Sequence, residues 1–170
     1  MSAQLPALQI VIPLLAAPVC LLLRRATAAY VWALVVCWTA FGMSVALLQR
    51  VLRTGTIEYA MGGWPSPWGI EYHLDALGAF VLLLVAGIGA VVMTYAPRSL
   101  ADEIPRDRWY LFLASYLLCL TGLLGICITG DLFNVFVFLE ISSLSSYAMI
   151  SLGRSRHALT AAFRYLIMGT

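Results

Sequence analysis

Glu140 stands alone in an apolar run. Between Asp131 and Arg154 no other residue is charged at neutral pH. An ionised side chain at the centre of a membrane helix costs about 2.5–3.5 kcal/mol on insertion scales. Such a group persists if it faces protein, pairs with a cation or takes up a proton, so Glu140 points to proton or cation handling. The plainer alternative is a buried glutamate that only hydrogen-bonds neighbouring helices. At 100° per residue, Ser143, Tyr147, Ser151 and Arg154 fall within about 60° of Glu140 on a helical wheel. They form a polar stripe from mid-helix to one end, along which hydroxyls can hold waters and pass protons. Ordinary helix-packing serines and tyrosines would give the same wheel. Ser142, Ser145 and Ser146 lie off the stripe and suit close approach of a neighbouring helix. Gly87, Gly89, Gly122 and Gly125 also read as close-packing sites.

A second stripe follows the first. His157, Thr160 and Arg164 share a face at i, i+3 and i+7, with Arg164 about 10 Å from the start of its helix. Arg164 is expected to face the Glu140 stripe and to favour the charged carboxylate through water. The competing reading is an arginine that snorkels to the interface. His157 reads as interfacial more readily than as a relay. Asp131 caps the helix that carries Glu140, with Asn134 one turn in. His73 has no second ligand nearby and reads as a surface residue. The four cysteines, Cys20, Cys37, Cys119 and Cys127, show no metal spacing and read as small core residues. No catalytic group, metal site or cofactor is expected in this chain.

The elements that position these residues follow from hydropathy. The chain has 170 residues, 62% apolar and 11% charged, against about 25% charged in a soluble domain. Its mean hydropathy is +0.93. Apolar blocks of about 20 residues match a hydrocarbon core of ~30 Å. They are continuous, so a barrel of alternating strands is excluded. Blocks are expected at 5–23, 28–48, 76–96, 109–129 and 132–152, and a sixth opens near 157. The fold class is therefore an all-α membrane protein, a single membrane domain over 1–170 with five full transmembrane helices and an incomplete sixth. The first block carries Pro6, Pro13 and Pro18 and is expected to kink. Asp75 is placed as an N-cap of the third. Segment 54–74 alternates on both sides of a Gly/Pro/Trp turn, which is the pattern of a hairpin, with Trp64 and Trp68 at the interface.

All ten basic residues are Arg and none is Lys. Arg24, Arg25, Arg98, Arg106, Arg108, Arg154 and Arg156 fall on one side of an alternating set of spans. The other side receives Arg50, Arg53, Glu58, Glu71, Asp75 and Asp131. By the positive-inside rule the N-terminus and hairpin are external. A net charge of +2 gives no support to nucleic-acid binding. The sixth segment, 14 residues or about 21 Å of helix, is too short to cross. A fragment or a split protein is expected, ahead of a re-entrant end.

The run Thr129-Gly-Asp-Leu-Phe-Asn-Val-Phe-Val-Phe-Leu-Glu140, within 120–153, resembles the antiporter-like subunits of Mrp-type sodium/proton antiporters, above all their D-type subunit. Proton-pumping membrane subunits of complex I and of membrane-bound hydrogenases belong to the same family. Gly62-Gly-Trp64, Gly69-Ile70 and Leu74-Asp75 resemble the family's hairpin leading into its third helix. The resemblance implies about fourteen helices in two inverted repeats, and a helix-five glutamate, matching Glu140, paired with a helix-seven lysine. Relatives often carry a basic residue in helix six where this chain has Arg164. The lysine and the second repeat are absent here, so either a second polypeptide is expected to supply them or the chain is a truncated or split version.

The sequence thus points to part of a cation/proton-translocating complex in a bacterial or archaeal cell membrane, either a Mrp-type antiporter or a redox-driven pump. The partners implied are other membrane subunits, the lipid bilayer, protons and sodium. A non-conducting half-subunit that supports assembly is the alternative. A quinone-site component ranks last, since no site for it is visible.

Overall fold

The computed structural model of the chain describes residues 4–61 and 69–169. Six helices and one hairpin follow in order: α1 (Leu5–Leu23), α2 (Ala26–Thr54), β1 (Ile57–Ala60), β2 (Glu71–Leu74), α3 (Ala76–Glu103), α4 (Trp109–Ile128), α5 (Leu132–Ser151) and α6 (Arg156–Gly169). Helices α1 to α5 are long and apolar enough to cross a membrane. The protein is a multi-pass membrane protein.

Each boundary has a local cause. Pro6 opens α1, where its missing N–H is harmless. Pro13 and Pro18 lie inside this helix, which continues through both. Arg24 closes α1 in the left-handed region, φ 47°, and Arg25 is extended before α2 begins. Two residues thereby reverse the chain. The Asp75 side chain accepts a 2.7 Å hydrogen bond from the Gly78 N–H at the start of α3. Asp131 does the same for the Phe133 N–H at the start of α5, at 3.1 Å.

Two helices run past their apolar blocks. Hydropathy puts the second block at 28–48 and the third at 76–96, whereas α2 reaches Thr54 and α3 reaches Glu103. Hydropathy marks the hydrocarbon edge, but backbone hydrogen bonding carries a helix on through the headgroup layer. Pro97 does not stop α3. At 28 residues, α3 is about 42 Å long, which matches a bilayer with its headgroups.

Helix α4 is the hub and packs against α1, α2, α3 and α5. Small residues let the helices come together. The buried stripe of α2 is Ala29, Ala33, Val36, Cys37, Ala40 and Ser44, spaced mostly by three or four. A Cβ on Gly122 of α4 would lie 2.6 Å from the Phe138 carbonyl oxygen and 2.8 Å from the Ser142 Cβ. A Cβ on Gly125 would run into the Phe138 ring. At one end Leu100, Ile104 and Trp109 form a small buried cluster, with Ala26, Ala96 and Leu152 packed on it. The three short joints α1–α2, α3–α4 and α5–α6 thus gather at one end, and the hairpin at the other.

The strands are antiparallel, with Glu58 opposite His73 and Tyr59 opposite Tyr72. Residues 62–68, including Trp64 and Trp68 and the Gly62-Gly-Trp64 run, lie outside the described residues. Burial, with the Tyr59 phenol beside it, holds the Tyr72 hydroxyl above its ordinary pKa.

Gly122→Ala is expected to destabilise the protein by about 1–3 kcal/mol, because its new methyl meets backbone that cannot yield. Gly42, with nothing within 4 Å of its Cβ position, is the control, and Gly42→Ala should be neutral or mildly stabilising. Thermal unfolding of the purified protein checks this. Equal shifts for both variants would refute it.

Candidate functional site

Glu140 is the ninth residue of α5, about 12 Å along the helix from its start. Phe138, Ser142 and Ser145 face α4 or lie buried beside it. Glu140 is about 200° round the helix from Phe138. It therefore sits on the side of α5 opposite α4, partly buried. Among the described residues it has no ion-pair partner. Ser143, Tyr147 and Ser151 lie on the same side and are also partly buried, and Arg154 is exposed at the joint end. Glu140, Ser143, Tyr147 and Ser151 thus share one side of α5, while Arg154 lies beyond the end of the helix, beside the end of α3. The Ser151 hydroxyl donates to the Ala148 carbonyl at 2.7 Å.

The off-stripe serines do other work. Ser142 and Ser145 donate to the carbonyls of Leu139 and Ile141 at 2.9 and 2.6 Å. This satisfies their hydroxyls inside the α4–α5 contact. The Ser146 hydroxyl and the Cys119 thiol of α4 meet at 3.5 Å.

Helix α6 packs on the stripe side of α5, but through a face without charge. The Tyr147 and Tyr165 rings meet edge to face, with centroids 5.1 Å apart. The Tyr147 hydroxyl lies where a Cβ on Gly169 would be. Ala158 meets Gly153 at the joint, and Ala162 is buried. His157, Thr160 and Arg164 do share a face, as their spacing requires. That face is exposed and lines a shallow depression with Ala161, Tyr165 and Met168. Contrary to expectation, Arg164 is turned away from the α5 stripe, because the small residues of α6 take the contact. The carboxyl of Glu140, seven residues from Tyr147, is about 10 Å further along α5.

The hairpin grips the start of α5. The Gly130 N–H donates to the Glu71 carbonyl at 3.0 Å, and Tyr72 bridges Thr129. A Cβ on Gly130 would sit 2.8 Å from the His73 Cβ. His73 Nδ1 lies 3.8 Å from Glu58 Oε1 across the hairpin, on the exposed side. Among the described residues no three His, Cys, Asp or Glu side chains are grouped to hold a metal.

Two buried polar atoms have no partner among the described residues, Gln9 Oε1 on α1 and Asn134 Nδ2 on α5. The Gln9 amide donates to the Ala40 carbonyl of α2 at 3.0 Å. Sequence reasoning passes over Gln9, although it is the single strongly polar side chain of an apolar block.

With this geometry in place, comparison with known proteins decides the family. The chain is 44% identical over its full length to the N subunit of NADH-quinone oxidoreductase of Desulforudis audaxviator. It belongs to the antiporter-like membrane subunit family. Over 74% of its length it is 31% identical to the D subunit of the Na(+)/H(+) antiporter of Alkalihalophilus pseudofirmus. Its fold matches a chain of the membrane-bound sulfane sulfur reductase, an archaeal respiratory membrane complex, with TM-score 0.88, 27% identity and 98% of this chain covered. It matches a chain of the Mrp complex from Dietzia sp. DQ12-45-1b with TM-score 0.84, 25% identity and 97% covered. No protein-family model matches. The chain spans 34% and 25% of the two curated relatives, and 34% and 31% of the two solved chains. This antiporter-like chain thus contributes five apolar helices, with a hairpin after the second, to a fold shared with longer subunits.

Gly130→Val is expected to push His73 aside and open the Gly130–Glu71 hydrogen bond, a loss of about 1 kcal/mol. Hydrogen–deuterium exchange should rise at the amides of residues 129–131 and in β2. Unchanged protection there would argue against the clamp.

Proposed function

We propose that the chain is part of a cation/proton-translocating membrane subunit in which Glu140 takes up and releases a proton near mid-membrane. Ser143, Tyr147 and Ser151 carry the proton between Glu140 and the joint end. The observation that supports this reading is the position of Glu140. Close packing of Gly122 and Gly125 on Phe138 and Ser142 takes one side of α5, and Glu140 heads a polar line on the other. His157 and Arg164 form a separate exposed face beside the end of that line, where they can meet protons or another subunit.

Identity over the full length to a protein named for NADH-quinone oxidoreductase favours a redox-driven complex. The Mrp antiporter is the second reading, supported by the match to a chain of the Mrp complex. Residues 1–170 contain no lysine, so a lysine that pairs with Glu140 comes from elsewhere in the complex. Exposed Phe133, Phe136, Leu139 and Leu144 on α5 suit burial by further membrane helices. The seven arginines at the joints favour a cytoplasmic position for that end and an external one for the hairpin.

Glu140→Gln keeps size and hydrogen bonding but cannot release a proton. In the isolated complex, reconstituted in vesicles, proton translocation is expected to fall at least about tenfold, with subunit composition unchanged. Wild-type translocation by a normally assembled variant would overturn the proposal and leave an assembly role. Tyr147→Phe should slow proton uptake while leaving thermal stability unaltered, and an unaltered rate would remove Tyr147 from the path.

A further inference from the structure

At the joint end, α3, α4 and the α5–α6 joint enclose a groove of ≈ 730 Å³, inside the ~300–1,000 Å³ range of ligand cavities. Its walls are apolar: Val92 and Ala96 from α3, Phe112 and Tyr116 from α4, Met149 and Ile150 from α5. The Tyr116 hydroxyl already donates to the Gly89 carbonyl at 2.8 Å, so it does not make the wall polar. The mouth is charged, with Asp102 and Glu103 at the end of α3 facing Arg154 and Ser155 of the joint. The Arg154 N–H donates to the Glu103 carbonyl at 3.1 Å, which holds the two sides together. None of these three charged side chains is in an ion pair among the described residues.

The dimensions are those of one leaflet. From Val92 to Glu103 is eleven residues of helix, about 17 Å. The acyl layer of one leaflet, half of a ~30 Å hydrocarbon core, is about 15 Å deep, and the remainder reaches the headgroups. An apolar slot of leaflet depth that is charged only at its outer end has the shape of a phospholipid. The mouth carries both signs. A guanidinium suits a phosphate, and paired carboxylates suit a primary ammonium that can donate hydrogen bonds.

We propose that this groove holds one zwitterionic aminophospholipid, of the phosphatidylethanolamine class. One acyl chain lies between Val92 and Ile150. The phosphate sits at Arg154 and Ser155, and the ammonium at Asp102 and Glu103. An anionic headgroup would set its excess negative charge against both carboxylates.

The test is native mass spectrometry of the purified complex offered phosphatidylethanolamine and phosphatidylglycerol with identical acyl chains. Phosphatidylethanolamine should be retained about five-fold better, the scale of one partly exposed charge contact. The double variant Asp102→Asn, Glu103→Gln, at an exposed helix end, should erase that preference. Ser99→Trp, on the exposed lip, should abolish retention of the bound lipid. Equal retention of the two lipids by the wild type means annular lipid only and overturns the proposal. So does a preference that survives the double variant, or binding that survives Ser99→Trp while the complex stays assembled.

Discussion

The α4 backbone approaches α5 so closely at Gly122 and Gly125 that neither position can carry a side chain. This contact determines more than helix spacing. Phe138, Ser142 and Ser145 are committed to α4, and a helix with one face committed has its opposite face chosen for it. Glu140, Ser143, Tyr147 and Ser151 occupy that opposite face. Lipid supplies no hydrophobic drive for one helix to prefer another, so small residues and satisfied hydroxyls must do the fastening. The serines beside Glu140 bond to their own helix carbonyls, and this satisfies the hydroxyl donors inside the α4–α5 contact.

The two ends of the bundle are fastened differently. At the joint end the reversals are short, and an apolar knot around Trp109 gathers three of them. At the hairpin end the link is made by backbone, with β2 holding the α4–α5 turn by a hydrogen bond and a bridge. Helix α5 is therefore anchored at its start by the hairpin and along its length by α4. Glu140 lies between Phe138 and Ser142, the two residues that meet Gly122 of α4.

Much of this is legible in residue types. Block lengths mark the five spans, alternation marks the hairpin, and Asp75 and Asp131 announce two helix starts. The glycines read as close-packing sites are contact points: Gly87 faces Phe41, Gly89 faces Leu120, and Gly122 and Gly125 face Phe138. The α5 stripe follows from the helical period alone. Three things are not legible. The ends of α2 and α3 are hidden because hydropathy reports the hydrocarbon edge and not the last backbone hydrogen bond. The orientation of α6 is hidden because a wheel shows which residues share a face but not which face docks. Arg164 is the more conspicuous residue, yet Ala158, Ala162 and Gly169 decide the docking by being small. The grip of Glu71 on Gly130 joins distant parts of the chain through main chain, which leaves no trace in side-chain chemistry.

That grip also bears on how the protein is made. Glu71 and Gly130 can bond only if both stand on the same side of the membrane, and two spans, α3 and α4, separate them. If either span failed to insert, the partners would end on opposite sides and the edge of β2 would stay open. The hydrogen bond thus acts as a parity check on insertion. It closes only after an even number of crossings, and it fixes the start of α5 once the count is right.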